Sequence, residues 1–220
     1  MSATGLTHGL AGVSDAGAFL ARLARLNPAA PVRLCRAGAG VELWAMLPWN
    51  VLVTRTVRGG GCGDVTVSAG ALLAELAKGG TILPPARDGD WRWPLPPNAV
   101  EQVERVPASR LRRIGAAAAG TLREAAESGV RGRPVGQRVL RDALLDHVAI
   151  TVTTPSGPPI EVPQRLVQAV LQMGFLGAAD AAGQEAPVGV RSGGDWVGLA
   201  APFGTAWLRT AHTLSLRPRG

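Results

Sequence analysis

Two stretches of the chain read alike without a gap: Pro48-Trp49-Asn50-Val51-Leu52-Val53-Thr54-Arg55-Thr56 and Pro202-Phe203-Gly204-Thr205-Ala206-Trp207-Leu208-Arg209-Thr210. At the same offset Gly40 falls on Gly194 and Leu43 on Val197, and Pro31-Val32 falls on Pro187-Val188 once two residues are deleted. Each stretch follows an amphipathic helix. Each is trailed by a short strand-like run, Val65-Thr66-Val67 in one case and Leu214-Ser215-Leu216 in the other. A repeat of this kind restricts the fold, because a meander must bury one sheet face against its helix. The expected class is α+β: two related modules, each an amphipathic helix with an antiparallel β-meander, the second with extra helices. One continuous sheet built from both modules is compatible with that reading.

The local signals place the elements. Ser14 is the expected cap of a helix ending near Leu26, with Phe19, Leu20, Leu23 and Leu26 on one face and Asn27-Pro28 as its stop. Strand-like runs follow at 32–36, 41–47 and 50–57, punctuated by Gly38-Ala39-Gly40 and Pro48-Trp49-Asn50. A glycine-rich loop around Cys62 leads to a strand at 64–67, and Ser68 caps a short helix closed by Gly79. The segment with Pro84-Pro85 and Trp91-Arg92-Trp93-Pro94 reads as a linker pinned by its two tryptophans. Helices are expected at 107–128, 134–146 and 163–175, a strand at 147–153, and four more strands from Val188 to Arg217. The implied organisation is a flexible N-terminus (1–12), a first α+β module (13–80), a Pro/Trp-rich linker (81–106) and a second module (107–220) that holds a basic helical segment and a C-terminal meander.

Charge is distributed unevenly. The chain carries 23 basic and 16 acidic side chains, a formal +7, and Lys78 is the one lysine. Residues 105–141 contain nine arginines and two glutamates, whereas the remainder balances at 14 of each sign, so the net charge belongs to one segment. A GC-rich codon bias accounts for many arginines but not for that clustering. Arg110, Arg112, Arg113 and Arg123 lie off the apolar face of the helix from Pro107, and Arg131 and Arg133 follow in the loop. Such a patch attracts a phosphate backbone or an acidic protein surface. No aromatic residue interleaves it, which favours duplex backbone or protein over single-strand stacking. An alternative DNA-reading face, Gln164, Arg165, Gln168 and Gln172, follows from a helix, helix, strand, helix, hairpin order resembling a winged helix. The 154–162 loop is long for that motif.

Catalytic patterns are absent from the sequence. Cys62 has no neighbouring His to activate it, and its loop is neither a Walker A motif nor a GxGxxG fingerprint. Asp142, Asp146 and His147 have metal-ligand chemistry, yet the carboxylates fit better as partners of Arg138 or Arg141. Two cysteines, Cys35 and Cys62, are too few for a disulfide framework. No apolar run reaches the length of a membrane span or forms a signal peptide, so a cytoplasmic protein with no membrane partner is expected. Trp44 and Trp196 are expected as core or interface anchors.

The run 41–56, together with Pro187-Val188-Gly189-Val190-Arg191, resembles uncharacterised actinobacterial two-domain proteins. The resemblance implies a cytoplasmic protein of that source and supplies neither an activity nor site residues. The leading expectation is a non-catalytic binding or adaptor protein, not an enzyme and without a cofactor or metal, whose segment 105–141 contacts an acidic protein or nucleic acid. The alternatives are a structural homo-oligomer assembling through sheet edges or tryptophan faces, and an enzyme or small-ligand binder using the intermodule cleft.

Overall fold

The two meanders meet edge to edge. In chain order the strands are β1 (Pro31–Ala37), β2 (Gly40–Met46), β3 (Leu52–Arg58), β4 (Val65–Ser68), β5 (Glu101–Val106), β6 (Val148–Val152), β7 (Ile160–Pro163), β8 (Val188–Gly193), β9 (Trp196–Ala201) and β10 (Gly204–Arg209). The helices are α1 (Val13–Leu26), α2 (Ala69–Ala77), α3 (Ala108–Ser128), α4 (Gln137–Asp146) and α5 (Gln164–Gln172). This computed structural model describes residues 6–128, 137–154, 157–179 and 183–210. Eight strands form one antiparallel sheet in the order β4-β1-β2-β3-β10-β9-β8-β5, and β6 and β7 form a separate hairpin.

The order is two-fold symmetric about the β3–β10 junction: β1, β2 and β3 correspond to β8, β9 and β10. Both first hairpins turn on a glycine with positive φ, Gly38 (+56°) and Gly194 (+60°), and both have two-residue turns. Such turns need left-handed backbone, which glycine adopts without steric cost. Gly194 is therefore the counterpart of Gly38, not of Gly40. The gapless match of β3 to β10 is also off register: with Gly38 on Gly194, the ladders carry Arg58 onto Arg209, three residues away from that match. The match carries Val53 onto Trp207, but Val53 faces the helices and Trp207 faces the other way. Leu52 and Trp207 share a face and stand opposite each other in the β3–β10 ladder, and the ladders place Thr56 as the counterpart of Trp207. A slip of one residue inverts every side chain of a strand, so burial decides the register.

The fourth strand of each half differs in origin. β4 follows its meander, whereas β5, which pairs with β8, precedes the second half's helices. Residues 101–106, expected to be linker, are thus an edge strand. Their alternation is masked by Glu101, Glu104 and Arg105 and by a bulge between Gln102 and Glu104. Leu214-Ser215-Leu216, expected in the fourth-strand role, lies outside the described residues. So do His212 and the strand expected at 213–217.

One sheet face packs on the helices. Val41, Leu43 and Ala45 alternate inward on β2, as Val197 and Leu199 do on β9, against Phe19 and Leu23 of α1 and Leu166 and Val170 of α5. Full burial of such a side chain stabilises the fold by about 1.5–3 kcal/mol. Phe19 and Phe175 stack with centroids 6.4 Å apart and join the two halves' helices. The opposite face holds Trp44, Leu52, Trp196 and Trp207, covered by Trp91, Leu95 and Val100 of a strap between α2 and β5. The expected roles of Trp44 and Trp196 as core anchors hold. Trp91 also lies beneath the Arg33 guanidinium, 5.6 Å from its centroid.

Helix ends follow local chemistry. Ser68 Oγ accepts from the Ala71 N–H (3.3 Å) at the start of α2, and Gly79 (φ +69°) follows its end. α1 starts two residues earlier than expected, after Gly12, so Ser14 is inside the helix and caps nothing. It stops at Asn27, whose extended backbone suits the residue before Pro28. On α3, a methyl at Gly115 would meet Leu171 Cδ1 at 2.2 Å, so glycine permits the close α3–α5 approach. The N-terminus differs from expectation: from Leu6 onward it is built in. His8 is buried, accepting from the Leu10 N–H at Nδ1 (3.0 Å) and donating from Nε2 to the Gly80 carbonyl (3.1 Å).

Candidate functional site

The arginines of α3 project from the helical layer. Arg110, Arg113 and Arg123 are exposed and form no ion pair with any described residue. Arg112 is different. Its Nε donates to Glu185 Oε1 (2.8 Å) and its Nη2 to the Gly177 carbonyl (2.7 Å), tying α3 to the chain that follows α5. Arg131 and Arg133 lie outside the described residues. Arg22 of α1 packs over Gly174, just past α5, and with Arg112 lines one cavity of about 320 Å³. Cations at a helix C-terminus are favoured by its dipole.

The winged-helix arrangement is not formed. β8 and β9 lie inside the eight-stranded sheet, and α5 buries Leu166, Val167, Ala169 and Val170 against it. α4 packs on the face where a groove would have to sit. Gln164 is 3% exposed, Gln168 is half-buried and Gln172 is exposed. Arg165 pairs with Asp146 at the end of α4 and donates to the Trp49 carbonyl (3.1 Å), so it brackets the β2–β3 turn instead of facing a partner. Periodicity placed these glutamines on one helix stripe, but only packing shows that α4 lies beside it and that Gln164 is buried. Sequence reasoning also placed α5 one residue early: Pro163 ends β7 and stands just before the helix.

Gln164, Gln168 and Gln172 instead line a cleft of about 540 Å³ between the halves. Leu26 and Arg25 at the end of α1, Trp49 in the β2–β3 turn, and residues of α3 and α4 form its other walls. Trp49 Nε1 and Gln164 Nε2 are both buried with no hydrogen-bond partner. The sequence named Gln164 for another role and did not single out Trp49 or Arg25. The signal available was Trp49 in a turn, where an aromatic residue is costly unless something covers it.

The candidate catalytic and metal-binding residues do not come together among the described residues. Asp142 pairs with Arg138 (3.9 Å), the outcome expected for it, and Asp146 pairs with Arg165. Among the described residues no group of three or more His, Cys, Asp or Glu is placed to hold a metal ion. Cys62 is half-buried, and that burial raises its pKa. Cys35 is pushed up to about 11 by burial and then by Asp64, so its thiol stays protonated at neutral pH. Asp64 accepts two hydrogen bonds from Arg33 (2.7 and 2.6 Å), which hold its carboxyl below the usual range, with Arg33 raised in turn. At the junction of the halves, buried Arg55 pairs with Asp15 of α1 (2.6 Å) and sits 5.3 Å from the Phe203 centroid. No described helix is long and apolar enough to cross a membrane.

The fold is similar to that of DNA polymerase sliding clamps. The beta subunit of DNA polymerase III from Pseudomonas aeruginosa aligns over 94% of this chain and 67% of its own, with TM-score 0.52 and 13% identity. A putative beta subunit from Eubacterium rectale aligns over 95% and 66%, with TM-score 0.54 and 10% identity. The Helicobacter pylori beta clamp, solved with a DNA ligase peptide, aligns over 96% and 69%, with TM-score 0.50 and 10% identity. The chain thus spans about two thirds of each clamp. At these identities the likeness is one of fold. No curated protein matches the sequence. The chain belongs to the family described as Domain of unknown function (DUF8185), whose model matches residues 95–213; Domain of unknown function (DUF8010) matches residues 6–94. It is a two-domain protein of that kind.

Proposed function

We propose that this protein is a non-catalytic, clamp-like binding protein whose helical layer takes an acidic partner, with duplex nucleic acid as the first choice. The observation that carries the reading is the exposed stripe Arg110, Arg113 and Arg123 on α3, without acidic partners among the described residues. The fold shared with proteins described as DNA polymerase sliding clamps supports it. α3 carries no aromatic residue, which suits contact with phosphates and not stacking on bases.

The test is fluorescence anisotropy with a mixed-sequence duplex over a range of salt. Binding is expected at low salt and is lost in the R110Q/R113Q/R123Q triple variant. Each phosphate contact removed lowers the slope of log affinity against log salt by about 0.9. R112Q is expected to change the slope less, because that guanidinium is already engaged. A protein that ignores duplex at low salt removes nucleic acid and leaves an acidic protein as the partner of the same arginines.

Self-assembly is the second reading, and one observation favours it: β5 is an edge strand with no strand outside it among the described residues. The other routes are covered. The strap hides the tryptophan face. The β4 edge is bound by the same strap, with the Thr66 N–H donating to Asp88 Oδ1 and the Arg87 N–H donating to the Thr66 carbonyl (both 2.7 Å). Light scattering across a concentration series tests it, and a monomer throughout excludes it.

A further inference from the structure

We infer that the cleft between the halves is a binding site for a small organic carboxylate with an apolar body. Its lining does not include the exposed arginines of α3, although Arg123 stands beside it, and it does not depend on the reading above. Three features converge there.

The first is a pair of unmet donors. Trp49 Nε1 and Gln164 Nε2 are sealed from solvent and have no acceptor, although Gln164 is 3% exposed and lines the cleft. Buried donors in native proteins are almost always paired. Two orphans at one cleft mark a place where an acceptor belongs. The surroundings keep both in position. The Gln164 backbone N–H donates to the His147 carbonyl (2.8 Å), and Arg165 holds the Trp49 carbonyl (3.1 Å).

The second is charge. Arg25, Arg138 and Arg141 stand around the cleft with Asp142 as the one acid among its lining residues. Asp142 is already shared with Arg138. The surplus is cationic, so the acceptor that completes the site is an anion.

The third is shape and polarity. Leu26, Leu122, Leu144 and Leu145 supply an apolar wall. The volume of about 540 Å³ lies within the range of small-molecule sites. A bare inorganic anion leaves that wall uncovered, and an uncharged hydrocarbon leaves the donors and arginines unmet. A carboxylate on an apolar body satisfies both. α4, which closes one side, packs on both α3 and α5, and binding as inferred requires that helix to shift enough to open the two buried donors to the ligand.

Octanoate is the probe, followed by titration calorimetry, with octanamide as the uncharged control. The expected result is saturable one-to-one binding that weakens by about tenfold or more in W49F, which keeps the ring and deletes the donor. Q164L and R141Q are expected to weaken it likewise, and octanamide binds less tightly than octanoate. R141Q alters a residue at the cleft rim and guards against misfolding of Q164L, with thermal melting as the check on each variant. No saturable octanoate binding at about 5 mM, an affinity limit near −3 kcal/mol, overturns the inference. So does binding that W49F and R141Q both leave unchanged.

Discussion

The two halves of the sheet share a meander and differ in what surrounds it. In the first half, two strand arginines are engaged within the fold, Arg33 with Asp64 and Arg55 with Asp15, while Arg36 and Arg58 are exposed. Its two helices, α1 and α2, stand at the two ends of the meander β1–β4. In the second half, a long segment between β5 and α5 adds α3, α4 and the β6–β7 hairpin. That addition carries the exposed arginines and builds most of the cleft. The repeated part is mainly scaffold, and the clustered arginines of α3 lie in the part that is not repeated.

The comparison can be broken most forcefully in the core. Leu43→Ala and Leu199→Ala remove inward side chains from β2 and β9, and each is expected to cost about 2–5 kcal/mol. Denaturant unfolding should show one transition moved by either substitution, because the halves share a sheet. Two transitions, each moved by only one variant, would mean that the halves unfold independently.

The next effect separates Arg55 from Arg209, which the gapless sequence match equates. Arg55 faces the helices at 7% exposure, while Arg209 shares the Trp207 face and pairs with Asp195 near solvent. Asp15→Asn deprives a buried cation of its partner and is expected to cost about 1–3 kcal/mol. Asp195→Asn is expected to cost about 0–1 kcal/mol, as for an exposed pair. Equal costs in thermal melts would sink the assignment of opposite faces.

A smaller effect is expected on acidification. The Asp64 carboxyl is depressed in the folded state, so its contribution is complete above the unfolded value of about 3.9 and is lost as pH falls through the folded value. Asp64 is more than half exposed, which limits the contribution to about 1 kcal/mol or less. Asp64→Asn should flatten that part of the acid limb of a stability–pH profile, and an unchanged limb would rule out the pair as its source. The smallest expected change is in R110Q/R113Q/R123Q. Its stability should stay within about 0.5 kcal/mol of the parent, so any loss of duplex binding reports on contact and not on folding.

Much of the scaffold was legible because local chemistry and tertiary packing agree there. The turn at Gly38, the cap at Ser68 and the alternation in β2 each have one favourable structural reading. Legibility failed at β5, where charged residues and a bulge hide the strand, and at β7, a four-residue strand directly before α5. It failed differently at α5. The amphipathic stripe was read correctly, but α4 packs beside its polar side, so the expected reading face is a cleft wall. Arg112 illustrates the same point, since nothing near it in the chain announces Glu185.

By itself, the sequence determined that two helix-plus-meander units exist, where their turns fall, and that the net charge sits between residues 105 and 141. Those properties depend on neighbours along the chain, on side-chain period and on composition. Tertiary structure alone decided the register relating the halves, the strap over the tryptophan face, which arginines are engaged, and the meeting of Trp49 with Gln164 at one cleft. Each of these depends on which face a residue takes and on what lies opposite, and contacts across more than a hundred residues leave no local trace.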